Sequence, residues 1–212
     1  WRARKLPSEQ LIAEVVAMVQ DEVRYFSASL GESSHRPKAP ARTWADRLGD
    51  CKDKVALLNA LLRRLDFDAM PALVSLQRHR GLVDYLPSHD QFDHVITRLE
   101  HGGQTWWIDA TMAQQGKQLA TRGHPSYGHA LVASAQGGTL ARVEPPAGAA
   151  EGVEFDQRWN LADLTRAPHF TSVVRARGLA AEGWRNAVAA GGLQRLAENI
   201  AGTWARLRPG IR

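Results

Sequence analysis

The sequence predicts an α+β fold in which helices come first and an antiparallel sheet follows. Two observations lead to this prediction. Apolar residues recur at helical spacing in residues 8–25 and 51–65, whereas β-branched and aromatic residues dominate residues 92–109. The glycine pair at 102–103 divides this second kind of segment into the two strands of a hairpin, which are antiparallel by construction.

The composition is that of an ordinary globular chain. Its 212 residues are 44% hydrophobic and 23% charged, which is enough for one well-buried core. No apolar run reaches the length that spans a bilayer, and the single cysteine excludes an intrachain disulfide. The chain begins at Trp1 with no signal-like segment, so we expect a fragment or a processed form.

The net charge of +5 raises the question of a nucleic-acid partner. Lysines and arginines are spread along the chain and form no stripe with interleaved aromatic residues. The sequence therefore favours solvated basic faces over a nucleic-acid-binding surface.

The first predicted helix begins with Ser8 as its N-cap and ends near Tyr25. One broad face carries its apolar residues, which are Leu11, Ile12, Val15, Val16, Val19 and Val23. Residues 27–41 contain Gly31, Pro37 and Pro40 and are predicted to be a loop, with a short helical turn at 44–48 behind it.

The second predicted long helix begins at Cys51. Asp50 is a good N-cap residue, and Asp53 follows it at the spacing of a capping box. A thiol in the first turn experiences the positive end of the helix dipole and unpaired N–H groups, which favour the nucleophilic thiolate. Charged neighbours also argue against an inert core cysteine, so we predict that Cys51 is a nucleophile.

Strands are predicted at residues 69–76, 92–99, 105–109, 130–134 and 139–143. Pro71 places the start of the first of these strands at a sheet edge, because proline cannot donate a ladder hydrogen bond. Trp106 and Trp107 point to opposite faces of their strand, so one is expected in the core and the other, Trp107, as a wall of a substrate cleft.

The hairpin register brings two further polar side chains together. If the turn centres on the glycine pair, His101 faces Gln104 and Ile96 lies opposite Asp109. Asp109 is then diagonal to His94 on the same face, within reach of an imidazole–carboxylate hydrogen bond.

Cys51, His94 and Asp109 together match the requirements of an activated thiol. The imidazole takes the thiol proton and later protonates the leaving amine, while the carboxylate fixes the tautomer and stabilises the imidazolium. The oxyanion would meet the Cys51 N–H and one further donor, for which Gln20, Tyr25 and Trp44 are candidates.

Three sequence blocks resemble a known family. Gly49-Asp50-Cys51-Lys52-Asp53-Lys54, Phe92-Asp93-His94-Val95-Ile96 and Trp107-Ile108-Asp109-Ala110-Thr111 resemble the motifs of the bacterial transglutaminase-like superfamily, a branch of the papain-like cysteine protease fold. The resemblance covers residues 6–143 and implies that Cys51, His94 and Asp109 are nucleophile, base and carboxylate. The family's usual Asp-Pro-Thr reads Asp-Ala-Thr at 109–111.

The composition changes at residues 145–152, which are rich in proline, glycine and alanine and are predicted to be a linker. We therefore expect a catalytic domain at 1–144 and a C-terminal extension at 153–212. The extension is predicted to contain strands at 153–161 and 169–177 and helices at 178–190 and 193–207. It resembles the start of the β-rich domain that often follows this core, so it is expected to be part of a truncated domain.

The predicted function is cysteine-dependent acyl transfer on amide bonds through a thioester, with a protein or peptide substrate and no cofactor. Hydrolysis is favoured over cross-linking, because no residues stand out as a dedicated amine site. The family resemblance implies an extracytoplasmic location.

The sequence is also compatible with two alternative functions. One is a non-enzymatic binding module on the same fold. The other is a metal-dependent hydrolase, suggested by the close spacing of His89, Asp90, Asp93 and His94. Strand alternation would send Asp93 and His94 to opposite faces, so a metal site is disfavoured.

Overall fold

A computed structural model describes residues 5–27, 35–134, 136–138, 140–146, 151–162 and 169–207. The chain divides into two compact units, at 1–149 and 150–212. This boundary lies inside the segment predicted as a linker. The catalytic role of the first unit and the origin of the second remain predictions.

Three helices precede the main sheet of the first unit: α1 (Ser8–Glu22), α2 (Pro40–Asp46) and α3 (Cys51–Arg64). Ser8 is the first helical residue and not the expected cap, since Pro7 occupies the N-cap without a side-chain hydrogen bond. α1 ends before Tyr25, because β1 (Arg24–Tyr25) pairs in parallel with β2 (Leu48–Gly49). α2 also begins four residues before the predicted turn at Trp44.

The main sheet has five strands in the order β5-β4-β3-β6-β7, and all neighbouring strands are antiparallel. The strands are β3 (Asp68–Val74), β4 (His94–His101), β5 (Gln104–Ile108), β6 (His129–Val132) and β7 (Leu140–Arg142). Short 3-10 turns lie at His79–Asp84, His89–Gln91 and Leu119–Thr121. The helices and antiparallel sheet confirm the α+β fold class.

The prediction that Pro71 marks a sheet edge is wrong, because β3 is the central strand. Pro71 pairs with Thr97 of β4, and its carbonyl accepts a hydrogen bond of 2.9 Å from Ala133 on the opposite side. The N–H and C=O of one residue point to the same side of a strand. The missing N–H therefore faces the end of the β3–β6 ladder, so the β4 side loses no hydrogen bond.

The main core lies between α1, α3 and one face of the sheet. Its fully buried members include Val16, Val19, Leu58, Leu62 and Leu99. A smaller cluster covers the other face and consists of Ala72, Val74, Ile96, Tyr127, Ala130 and Val143. The helical spacing seen in the sequence therefore corresponds to burial of one face of each long helix.

The β4–β5 hairpin has the expected register. His101 pairs with Gln104 and Thr97 with Ile108, where the ladder ends. Continued by one step, this register would place Ile96 opposite Asp109. Gly102 and Gly103 have φ values of 64° and 72°. This left-handed conformation at both central residues is typical of a two-residue β-hairpin turn.

The second unit contains the antiparallel pair β8 (Gly152–Asn160) and β9 (His169–Arg177). α4 (Gly178–Leu207) follows and is interrupted at Gly192, whose φ of 80° and ψ of 161° are not helical. The break separates two helical segments near the two helices that the sequence predicts. Phe170 packs against Trp159 and Trp204, with ring centroids 4.4 Å and 5.2 Å away. Across the part of the chain described, none of the helices combines the length and apolarity needed to span a membrane.

Candidate active site

Cys51 is the first residue of α3 and is half-buried. A reciprocal capping box holds this helix start: the Asp53 N–H donates to Asp50 Oδ1 at 3.2 Å, and the Asp50 N–H donates to Asp53 Oδ2 at 3.4 Å. The Lys38 N–H also donates to Asp53 Oδ1, at 2.8 Å. The first turn that carries the thiol is therefore fixed by short-range and longer-range hydrogen bonds, and the expected cap at Asp50 is present.

His94 begins β4 and Asp109 immediately follows β5. Nε2 of His94 lies 2.9 Å from Asp109 Oδ2, and both residues are 8% exposed. Because Nε2 is engaged by the carboxylate, Nδ1 is the ring nitrogen that remains for the thiol. The structure thus brings together the histidine and the carboxylate that the hairpin register pairs in the sequence.

Cys51 completes the group, because its side chain interacts with the imidazole of His94 and favours the protonated ring. Burial of the ring lowers the pKa of His94, but the hydrogen bonds with Asp109 and Cys51 and the negative charges of these two groups outweigh it and raise the pKa to about 10. The imidazolium is therefore the favoured form at neutral pH.

The carboxylate of Asp109 accepts four hydrogen bonds. Oδ1 accepts from the Thr111 N–H and the Thr111 hydroxyl, both at 2.7 Å. Oδ2 accepts from His94 at 2.9 Å and from the Tyr127 hydroxyl at 2.6 Å. Burial raises the pKa of Asp109, but these donors and the charge of His94 more than compensate and lower it below its usual value.

Tyr127 was not singled out by the sequence. It lies in the segment between β5 and β6, which reads as a loop, and no periodicity or spacing marks it. In the structure it is 1% exposed and its ring stacks against that of His94, with centroids 6.3 Å apart and planes inclined by 26°.

Gln20, a candidate oxyanion donor, lies behind the aspartate and is 3% exposed. Its side-chain amide donates to the Asp109 carbonyl and to Gln115 Oε1, each at 2.8 Å. Both amide hydrogens are thus used inside the protein. The same side chain accepts a hydrogen bond of 3.4 Å from Arg122, which is also buried.

Lys54 is a second buried polar residue that sequence reasoning missed. It is 1% exposed, and its ammonium donates to the carbonyls of Gln20 at 3.0 Å and Val23 at 2.5 Å. Burial lowers the pKa of Lys54 to about 8, against the opposing charges of Asp109 and Asp21. Lys54 therefore ties the cysteine helix α3 to the end of α1.

The other two candidate oxyanion donors, Tyr25 and Trp44, have different surroundings. Tyr25 is 53% exposed, and its neighbour in the β1–β2 ladder is Gly49, two residues before Cys51. Partial burial raises the pKa of Tyr25, and the negative charge of Cys51 adds to this effect. Trp44 is half-buried against the main core, with the guanidinium of Arg47 3.3 Å from its ring centroid.

Trp106 is buried in the main core, whereas Trp107 packs against the smaller cluster. Both tryptophans line a small cavity together with Asp109 and Tyr127. The two rings lie on opposite faces of the sheet, and strand alternation puts Trp107 on the face of His94 and Asp109.

The residues that suggested a metal do not converge. His89 and Asp90 pair at 3.0 Å in an exposed turn, and Asp93 Oδ1 accepts from the Leu76 N–H at 2.7 Å. Within the described ranges, no three histidine, cysteine, aspartate or glutamate side chains form a cluster suited to a metal ion.

Comparisons with known proteins give matches at the level of structure. No protein-family model matches the sequence, and no curated protein does. The chain is similar to the crystal structure of a proposed protease from Parabacteroides distasonis ATCC 8503, with a TM-score of 0.50, 12% identity, and coverage of 68% of this chain and 26% of that one.

A proposed cysteine protease from Cytophaga hutchinsonii is also similar, with a TM-score of 0.40, 15% identity, and coverage of 81% of this chain and 47% of that one. The chain thus spans about a quarter of the first structure and about half of the second. At such low identity the first likeness concerns the fold alone: the chain has an α+β fold of the kind found in a proposed protease.

Proposed function

We propose that the first unit is a transglutaminase-like enzyme that transfers acyl groups from amide bonds through Cys51, His94 and Asp109. The observation that carries this proposal is the position of His94, whose Nε2 lies 2.9 Å from the buried carboxylate of Asp109 and whose ring interacts with the side chain of Cys51 at the start of α3. The raised pKa of His94 supports a thiolate–imidazolium pair as the resting state.

In the proposed reaction the Cys51 thiolate attacks the amide carbonyl carbon and a carbon–sulfur bond forms. The tetrahedral intermediate then collapses, the carbon–nitrogen bond breaks, and the leaving amine takes the proton from Nδ1 of His94. Water attacks the resulting thioester and gives a proton back to the imidazole. The carbon–sulfur bond then breaks, the carboxylic acid leaves, and the thiolate–imidazolium pair is restored. Asp109 holds the imidazole through Nε2 throughout.

The oxyanion requires two donors. The Cys51 N–H is in the first turn of α3, where helical N–H groups have no intrahelical partner. Among the side-chain candidates, Tyr25 fits best as the second donor. It is exposed beside Cys51, and its raised pKa keeps the hydroxyl protonated, whereas both amide hydrogens of Gln20 are already used.

Hydrolysis is favoured over cross-linking, since it needs only water as acceptor and no dedicated amine site. The proposed substrate is a protein or peptide amide, and the chemistry needs no cofactor. The likeness to a proposed protease is in keeping with this choice. In this proposal residues 1–144 form the catalytic domain and residues 153–212 an extension of it.

The proposal is tested by the rate of iodoacetamide alkylation of Cys51 between pH 5 and pH 9. We expect fast alkylation at a pH where a free thiol, with a pKa of about 8.5, is still protonated. His94→Ala should abolish this fast reaction, and Lys117→Ala, a change at an exposed residue, should preserve it. If the alkylation rate of the parent protein follows the pH dependence of a free thiol and is unchanged in His94→Ala, the result would favour the binding-module alternative.

Acylation separates the alternatives further. Incubation with an activated ester should add one acyl group to the protein mass, in a form that hydroxylamine removes and that Cys51→Ala does not accumulate. Loss of acylation with a chelator, and not with a thiol alkylator, would instead support a metal-dependent hydrolase.

A further inference from the structure

We propose that Tyr127 is a positioning residue of the candidate site: its hydroxyl fixes the Asp109 carboxylate against His94 and limits the basicity of the imidazole. This inference rests on the proposed function, because it assigns a role within the same site. Tyr127 does not contact the thiol in this assignment; it acts on the reaction through Asp109.

The hydrogen bonds of Asp109 give Tyr127 a distinct position. Thr111 fixes Oδ1 from only two residues along the chain, through local backbone and hydroxyl donors. Tyr127 reaches Oδ2 from 18 residues away and shares this oxygen with His94. With all four acceptor sites of the carboxylate filled, rotation of the group would break at least one bond. Tyr127 therefore helps to fix the plane of the carboxylate, so that one of its oxygens stays directed at the imidazole.

The environment keeps the Tyr127 hydroxyl a donor. The side chain is 1% exposed, and burial together with the negative charge of Asp109 raises its pKa far above the usual value. Its ring also stacks on His94 and makes an edge contact with His124, with centroids 5.8 Å apart. The ring thus covers one side of the imidazole–carboxylate pair and shields it from solvent.

The backbone around Tyr127 is fixed by close packing. Gly128 has a φ of 74°, and a Cβ there would lie 2.5 Å from backbone atoms of His79 and Arg80. The carbonyls of Tyr127 and Gly128 accept hydrogen bonds of 2.9 Å from the N–H groups of His129 and Val143. Only glycine allows this approach, so residue 128 helps deliver the preceding tyrosine to Asp109.

A donor on Oδ2 withdraws charge from the oxygen that stabilises the imidazolium. Without it, Asp109 would be a stronger base, and His94 would hold its proton more tightly. The leaving amine would then receive the proton more slowly. Tyr127 is thus expected to keep His94 basic enough to ionise the thiol and acidic enough to release the proton.

Two replacements of Tyr127, which should shift the pKa of His94 in opposite directions, test this role. Tyr127→Phe keeps the ring and removes the donor, whereas site-specific incorporation of a ring-fluorinated tyrosine keeps the shape and strengthens the donor. The titration of His94 is followed by NMR of the labelled imidazole nitrogens, and acylation by a peptide anilide, whose leaving amine must take its proton from His94, is measured in parallel.

We expect Tyr127→Phe to move the His94 titration to higher pH by about half a unit and to slow acylation about fivefold. The fluorinated tyrosine should move the titration to lower pH. General damage to the fold would move both variants in the same direction, so equal shifts, or no shift, would overturn the inference. If His94→Ala leaves Cys51 alkylation unchanged, the proposed function fails instead, and the His94 titration still reports on Tyr127.

Discussion

The side-chain amide of Gln20 donates a hydrogen bond of 2.8 Å to the main-chain carbonyl of Asp109, so α1 holds the backbone of the residue whose carboxylate meets His94. Gln20→Met should remove this bond while preserving side-chain volume. Because the Asp109 carbonyl is left buried without this donor, we expect a loss of about 1–3 kcal/mol in the free energy of unfolding. Urea denaturation of the whole chain, followed by pulse proteolysis, measures the change.

Gln10→Met is the matched control for Gln20→Met, since Gln10 is exposed on the same helix. It should alter stability by less than about 0.5 kcal/mol. Equal effects of the two substitutions would contradict the role assigned to the Gln20 hydrogen bonds.

Gly49→Ala should destabilise the start of α3. A methyl group at Gly49 would lie 2.8 Å from Cβ of Asp53 and 3.1 Å from Cγ2 of Thr43, so the capping box would have to move. We expect a loss of about 1–3 kcal/mol, measured by the same urea denaturation. Gly116→Ala provides the comparison, because a methyl group there meets nothing within 4 Å. A cost at position 116 as large as that at 49 would argue against the steric explanation.

Asp50→Ala should remove the cap of α3 and cost about 1 kcal/mol of stability. Since Asp50 accepts from the Asp53 N–H, fraying of the first turn would also displace Cys51 from His94 and slow its alkylation at neutral pH. Asp50→Ser keeps a capping oxygen and should retain most of both properties. If the alanine and serine variants behave alike, the capping hydrogen bond is unimportant for the site.

Lys54→Met should change how stability depends on pH. The folded-state pKa of about 8 is below the value of about 10.4 for an unfolded lysine, so the unfolded chain binds more protons between these values. Stability therefore receives a contribution from Lys54 that rises as pH increases from about 8 to 10.4. The difference between the parent and Lys54→Met should show this rise, and an exposed control, Lys117→Met, should not.

The contribution of Lys54 to the pH dependence of stability can be separated from that of His94. The pKa of His94 is raised, so its contribution is fully present below about 6.5 and is lost as pH rises through 10. Both the parent and Lys54→Met retain His94, so this contribution cancels in their difference. A parent-minus-variant difference that is flat or falls above pH 8 would contradict the burial of a charged ammonium.

Much of the fold and three residues of the candidate site were predictable because their signals are local. A capping residue and a helical apolar face mark the start of α3, and the two-glycine turn sets the register of the β4–β5 hairpin. These features depend on residues within a few positions of one another. Whether Cys51, His94 and Asp109 catalyse a reaction remains the prediction that the experiments above address.

Other features required the tertiary structure. The absent N–H of Pro71 predicted an edge strand, but only the pairing of β3 shows that this side of the proline lies where the β6 ladder ends. Serine is a residue type preferred at helix N-caps, yet Pro7 occupies the N-cap position of α1. Local preference was therefore informative about the type of element and less so about its ends and its place in the sheet.

The sequence by itself determined that a helix starts at Cys51 and that His94 and Asp109 are diagonal neighbours on one face of a hairpin, because hydrogen bonds between near neighbours decide both. Only the tertiary structure decided that Tyr127 binds the Asp109 carboxylate, that Gln20, expected as an oxyanion donor, binds the Asp109 carbonyl, and that Lys54 is buried against the end of α1. Their partners are 18, 89 and 31 to 34 residues away, respectively, and nothing in their spacing along the chain records those contacts. Packing of α1, α3 and the sheet brings these polar groups together, and the requirement that buried polar atoms be hydrogen-bonded then pairs them.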